Sequence, residues 1–364
     1  MPRRRWAVLL GCALLAAACS SAAPSPGAAR TAPAVPLPAT EPYLLSAGPG
    51  SGWAVWPSGD SWLLLHTTDG FGHVSNATPV GVPTDGGLVA AAAGDGVAVA
   101  VGPVERLLTS PLLTGAGSGT WTPFQLPGGV VGSRTAVAVE GGSVTALTSG
   151  SGGTLVRWTA GGWQRVATAA SLPGADGLSL DGVAWADGSL GWLTGRGAAG
   201  SAVAFRTGDG GRTWTAVPGG DDAVAAWAPC GQGAVWSLPE VDGAGHVRVL
   251  RTTDGGATWT PGEELPRPAG EPAWGCAGNE LWLAGGSAHG DEVYASSDGG
   301  RTWTASSAAP RGLTDLTPTG GGQGYAASRG DAAVLWRVSG DGATFTRIGL
   351  PAWVAALGAR SGED

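Results

Sequence analysis

Few residues in this sequence are equipped for chemistry. Between residues 240 and 292 it gathers Glu240, Asp242, His246, Glu263, Glu264, His289, Asp291 and Glu292, its densest acidic stretch. Carboxylates interleaved with imidazoles suit a cation or a basic partner. The plainer reading is a set of solvated loop charges, because no ligand spacing recurs along the stretch. Cys230 and Cys276 each stand six residues before a tryptophan, Trp236 and Trp282, in equivalent turns of neighbouring repeats. In an oxidising compartment they are expected to form one disulfide, the alternative being two small buried residues, and two thiols alone do not hold a metal. No HExxH, no CxxC, no GxSxG with a matching triad and no phosphate-binding loop occurs, so no catalytic residue, cofactor or metal is assigned.

A third reactive group lies near the start. Residues 1–18 carry Arg3, Arg4 and Arg5, then an apolar run from Trp6 to Ala18 that ends in three alanines before Cys19. That is the pattern of an export signal, and the run is shorter than the roughly 20 residues of a membrane-spanning helix. The small residues before Cys19 resemble the lipobox of bacterial lipoproteins, in which that cysteine is lipidated; a rival lipobox ends at Cys12 but leaves too short an apolar run ahead of it. The expected address is the outer face of the cytoplasmic membrane, with the lipid as the only membrane contact. Residues 19–41 are rich in Ala, Pro and Ser and lack aromatics, which makes them an extended linker.

The elements that position these groups follow from composition. The 364 residues include 66 Gly, 26 Pro and 18 Trp, while only 13% are charged and all 20 basic residues are Arg. Glycine at this density excludes long helices and favours many short strands joined by turns. With 43% hydrophobic residues the chain can build a core, and its net charge of −8 argues against nucleic acid as a partner.

Internal repeats then set the architecture. Residues 206–215 (RTGDGGRTWT), 251–260 (RTTDGGATWT) and 296–304 (SSDGGRTWT) are near copies, and weaker copies end at Val74, Trp121, Trp163 and Phe345. The markers Val74, Trp121, Trp163, Trp214, Trp259, Trp303 and Phe345 are spaced by 47, 42, 51, 45, 44 and 42 residues, a length suited to one four-stranded propeller blade. A second motif, an apolar strand usually entered through Gly, recurs seven times in phase with the first. Seven units in one closed ring are expected over residues 42–358, with a tail at 359–364. Both residues 43–47 and residues 351–358 read as an inner strand at the ring's seam, and the sequence does not choose between them.

In each repeat a short carboxylate can accept hydrogen bonds from backbone N–H groups two or three residues on, while the glycines take positive φ. Asp69, Asp209, Asp254, Asp298 and Asp341 are therefore expected to fix turns, and the aromatic markers to pack between sheets. The pattern S/T-x-D-x-G-x-T-W resembles the Asp-box, or BNR, repeat of bacterial sialidases and of propellers related to the photosystem II stability and assembly factor; the paired GW strand is most similar to the latter group. The resemblance implies an all-β, seven-bladed propeller of four-stranded antiparallel blades. A sialidase would need an arginine clamp beginning on the first blade, yet no arginine occurs between Arg30 and Arg106, and Tyr43, Tyr294 and Tyr325 read as structural. The functional expectation is a monomeric, non-catalytic propeller that binds a protein or glycan through the face opposite the Asp turns. That face includes Glu240, Asp242, His246, His289, Asp291 and Glu292. A sialidase-like glycan hydrolase is the alternative, recognisable by two carboxylates about 5 to 9.5 Å apart over the channel.

Overall fold

The computed structural model describes residues 41–354 apart from 47–49, 83, 85–86, 94–95, 103–111, 117–119, 125–133, 141–142, 150–152, 160–161, 175, 220–222, 227–228, 266–268, 288–289, 307–308, 330–331 and 341. Among these residues 29 strands, β1 to β29 in chain order, form seven sheets spanning 43–76, 87–124, 134–168, 179–217, 223–265, 269–306 and 313–347. Each sheet is a single stretch of chain folded as an antiparallel meander. The ring is a seven-bladed β-propeller.

Blade 4 shows why these strands are apolar on both faces. Its strands are β13 (Ser179–Trp185), β14 (Gly191–Arg196), β15 (Ala202–Thr207) and β16 (Thr215–Val217). Val183, Leu193 and Phe205 stand opposite one another and join a cluster with Ala136, Leu147 and Leu155 of blade 3. Their strand neighbours Ala184 and Trp192 point the other way, onto Trp236 and Leu238 of blade 5. Alternate side chains leave a strand on opposite faces, so a blade between two others needs continuous apolar strands.

The repeat markers sit at these blade junctions. Trp121, Trp163, Trp214, Trp259, Trp303 and Phe345 each pack into a cluster shared with the preceding blade, and Val74 does so across the seam with blade 7. Trp121 also donates its indole Nε1–H to the Ala77 carbonyl of blade 1 at 3.1 Å.

The seam is closed without strand exchange. β1 (Tyr43–Ser46) is the innermost strand of blade 1, and residues 352–354 form a short helical turn rather than a strand. Buried Asp315, in β26 (Leu313–Gly320) of blade 7, accepts the Leu44 N–H at 2.8 Å, and the Thr314 hydroxyl donates to the Pro42 carbonyl at 2.5 Å. Val354 completes the apolar seam with Leu44, Phe71, Tyr325 and Leu335.

Blade 5 departs from the pattern. Its inner strand is divided into β17 (Ala223–Ala226) and β18 (Cys230–Gln232), both paired with β19 (Val235–Asp242). Cys230 and Cys276 are joined by a disulfide, with Cα atoms 6.1 Å apart. They lie on strands, in β18 and in β22 (Ala269–Ala277), rather than in the turns expected from their spacing.

Candidate functional site

Antiparallel blades put the turns between third and fourth strands on one face of the disc and the loops between second and third strands on the other. The first face carries the Asp turns. In the copy at 207–214 the buried Thr207 hydroxyl accepts the N–H groups of Asp209 and Gly211, at 3.3 and 2.8 Å, and donates to Asp209 Oδ1. Asp209 Oδ1 accepts the Thr213 N–H at 2.9 Å and Oδ2 the Thr213 hydroxyl at 2.7 Å. The copies at Asp254 and Asp298 repeat this network, with Thr252 and Ser296 as the buried hydroxyls. All three copies take an amide four residues on, and Asp298 also takes the Arg301 N–H, three residues on, at 3.0 Å.

In the first blade Thr67 and Asp69 make the same bonds, but His73 stands where Thr213 does and its Nδ1 meets Asp69 Oδ2 at 2.5 Å. Phe71 there adopts φ +65°, a conformation that the other copies give to a glycine, such as Gly211 at +89°. Buried against Tyr325, its ring serves the seam.

These carboxylates are held ionised by their turns. The amide and hydroxyl of Thr213 pull Asp209 down to about 2, and the His73 ring and amide do the same for Asp69. Asp254 is lowered by Thr258, while at Asp298 burial is outweighed by hydrogen bonds from Thr302, Ser296 and Arg301. Their acceptor capacity is turned onto their own backbone, which is an architectural role. Asp341 lies outside the described residues.

Among the described residues, polar groups converge on the opposite face at blade 5. A small cavity is lined by Ala223, Glu240, Asp242, His246, Arg248 and Glu264. Glu240 ends the run of buried residues in β19, and its neighbour Arg248, in β20 (Val247–Thr252), reaches it at 3.3 Å. Asp242 Oδ1 accepts the N–H groups of Ala244 and His246, each at 2.8 Å, and Oδ2 lies 3.0 Å from His246 Nδ1. The same Nδ1 stands 3.4 Å from Oε1 of Glu264, in β21 (Thr260–Leu265). The hydrogen bond to Asp242 raises the His246 pKa above its ordinary value against the effect of burial, and the charges of Asp242 and Glu264 reinforce it. Asp242 is lowered in turn, first by the His246 ring.

Four residues of the acidic stretch thus meet: Glu240, Asp242, His246 and Glu264. Glu263 turns its N–H to the Gly300 carbonyl of blade 6, and Glu292 accepts the Tyr294 hydroxyl at 2.8 Å; burial first, and then this bond, push that phenol up to about 12. Asp291 lies in β24 (Gly290–Ser296), opposite Gly286; its side chain, and all of His289, are outside the described residues, as are Cys12, Cys19 and the whole of 1–40. Asp242 and Glu264 bring carboxylate oxygens within 4.8 Å of each other around the imidazole.

Sequence reasoning passed over two sets of residues. The buried hydroxyls Thr67, Thr207, Thr252 and Ser296 are the hubs of the Asp turns, signalled by the first letter of the motif. Arginines on third strands tie blades together: Arg157 donates to the Gly188 carbonyl at 3.0 Å and lies over Trp185, Arg206 bonds the Gly255 carbonyl, and Arg251 reaches Asn279 at 2.9 Å.

No family model matches the chain, and no curated protein matches it. Solved structures do. YCF48 bound to a D1 peptide is 19% identical over 84% of this chain and 94% of that one, with a TM-score of 0.50. YCF48 from Cyanidioschyzon merolae is 18% identical over 86% and 97%, also at 0.50. A prolyl endopeptidase aligns at 14% identity and TM-score 0.58, with 85% of this chain covering 50% of that enzyme. At such identities the likeness is one of fold: this chain is a seven-bladed β-propeller built like YCF48 and like part of a prolyl endopeptidase.

Proposed function

We propose that the chain is an exported lipoprotein, anchored through Cys19, whose propeller binds a segment of a partner protein without catalysis. The observation that carries this reading is the distribution of polar groups. The carboxylates of the Asp turns are absorbed by their own loops, whereas Glu240, Asp242, His246, Arg248 and Glu264 converge around a small cavity of the other face. A propeller of this fold has been captured with a peptide, in YCF48 with a D1 peptide, which supports a protein segment over a glycan as the occupant. The Asp turns resemble Asp-box repeats, and the missing first-blade arginine weighs against sialidase chemistry.

The test is capture from membranes with the anchored protein as bait. The reading expects a partner whose retention is lost with Asp242→Ala plus Glu264→Ala and kept with Thr213→Val on the opposite face. Retention that ignores the loop-face pair would overturn it. For the anchor, Cys19→Ala is expected to release the protein from the membrane fraction, while Cys12→Ala leaves it there.

A further inference from the structure

Asp69-Gly-Phe-Gly-His73 and Asp242-Gly-Ala-Gly-His246 share the D-G-x-G-H sequence and the same Asp–His bonds on opposite faces of the disc, although their backbones differ, with positive φ at Gly70 and Phe71 in the first and at Gly245 in the second. In both, the aspartate accepts the histidine N–H on one oxygen and faces the histidine Nδ1 with the other. The first histidine is 94% exposed and, among the described residues, pairs with its own aspartate, whereas His246 is 42% exposed and also meets Glu264 from another strand. We propose that His246 is a proton-operated clasp: protonated, it ties the β19–β20 loop to Glu264 of β21 and closes the cavity of blade 5; neutral, it releases Glu264.

The charges around the ring decide the direction. Among the described residues, Asp242 faces it from its own loop and Glu264 from β21, while Glu240 of β19 and Arg248 of β20 line the same cavity. With the imidazolium present, two positive groups stand against three carboxylates. Once it loses its proton, one positive group remains against three. The Nδ1–H stays with Asp242, the nearer acceptor, and Glu264 loses its attraction while like charges still repel it. Its side chain, 59% exposed, has room to swing into solvent. The cavity therefore opens and becomes more negative as pH rises through the His246 midpoint. This device needs no partner, so it stands or falls separately from the binding reading.

The experiment is an NMR titration of the intact folded protein that follows the His246 ring and the Glu264 side-chain carboxyl carbon together. The clasp expects the Glu264 signal to inflect at the His246 midpoint, and Glu264→Gln to lower that midpoint while the His73 midpoint stays where it was. A dispersed backbone amide spectrum like that of the parent reports that the variant has folded. A Glu264 signal without that inflection, or a His246 midpoint unmoved by Glu264→Gln, would overturn the proposal.

Discussion

Blades 1 and 5 carry the same five-residue motif, with the same Asp–His bonds, in different settings. In blade 1 it rests on the buried Thr67 hydroxyl, which pairs the amides of Asp69 and Phe71. In blade 5 the residue two positions before the aspartate is Glu240, which instead turns to Arg248, and the turn looks outward to Glu264. One hydrogen-bond ring thus serves as a cornerstone in one place and as the wall of a cavity in the other. What differs is the residue beneath the turn, the strand beside it and the backbone itself, left-handed at Gly70 and Phe71 in blade 1 and at Gly245 in blade 5. The two blades are also secured differently, blade 1 by hydrogen bonds across the seam and blade 5 by a covalent link to blade 6.

The largest effect should come from unlinking blade 5. Because the disulfide closes 46 residues, Cys230→Ser with Cys276→Ser is expected to cost up to about 4 kcal/mol, measured by denaturant unfolding under non-reducing conditions. Next comes the seam. Asp315→Ala leaves the buried Leu44 amide without that carboxylate and should cost about 2–3 kcal/mol. Equal or greater loss than for the cysteine pair would show that the hydrogen-bonded junction is the stronger one. Thr67→Val should cost about 2 kcal/mol by orphaning two amides, whereas Glu240→Gln, at the corresponding place in blade 5, should disturb the cavity more than the melting temperature.

The smallest contribution per residue is electrostatic. Asp69 and Asp209 sit near 2 in the folded chain, against about 3.9 for a free aspartate. Their ionised forms favour the fold above pH ~4, and that contribution is lost as the pH falls from about 4 towards 2. His246 has the opposite sign: its contribution is complete at acid pH and fades as pH rises through its elevated midpoint. Thermal melts across pH should therefore show a steep acid limb, absent from a variant in which all the turn aspartates are asparagine, and a shallow decline at higher pH, absent from His246→Asn.

Much of the fold is legible in the sequence, because it is local or periodic. The spacing of Trp214, Trp259 and Trp303 set the blade length, and the apolar strands after the Gly residues became the second strands of all seven blades. The D-G-x-G-H duplication is present in the sequence but is not among the readings above, and nothing local says that one copy has Glu264 within reach. That contact joins residues 18 apart across a strand pair and depends on register. The split inner strand of blade 5 and the φ of Phe71 are likewise set by neighbours, the latter because an aromatic ring was needed at the seam more than a relaxed backbone.

Since every sheet is drawn from one uninterrupted stretch, the junction between residues 313–347 and 43–76 is equivalent in topology to any other between consecutive sheets. A circular permutant with its ends moved to another such junction should then keep the full hydrogen-bond ladder, provided the old ends are bridged. The number of sectors in such a molecule is a property of how many wedges fit around the axis, and not of where translation starts.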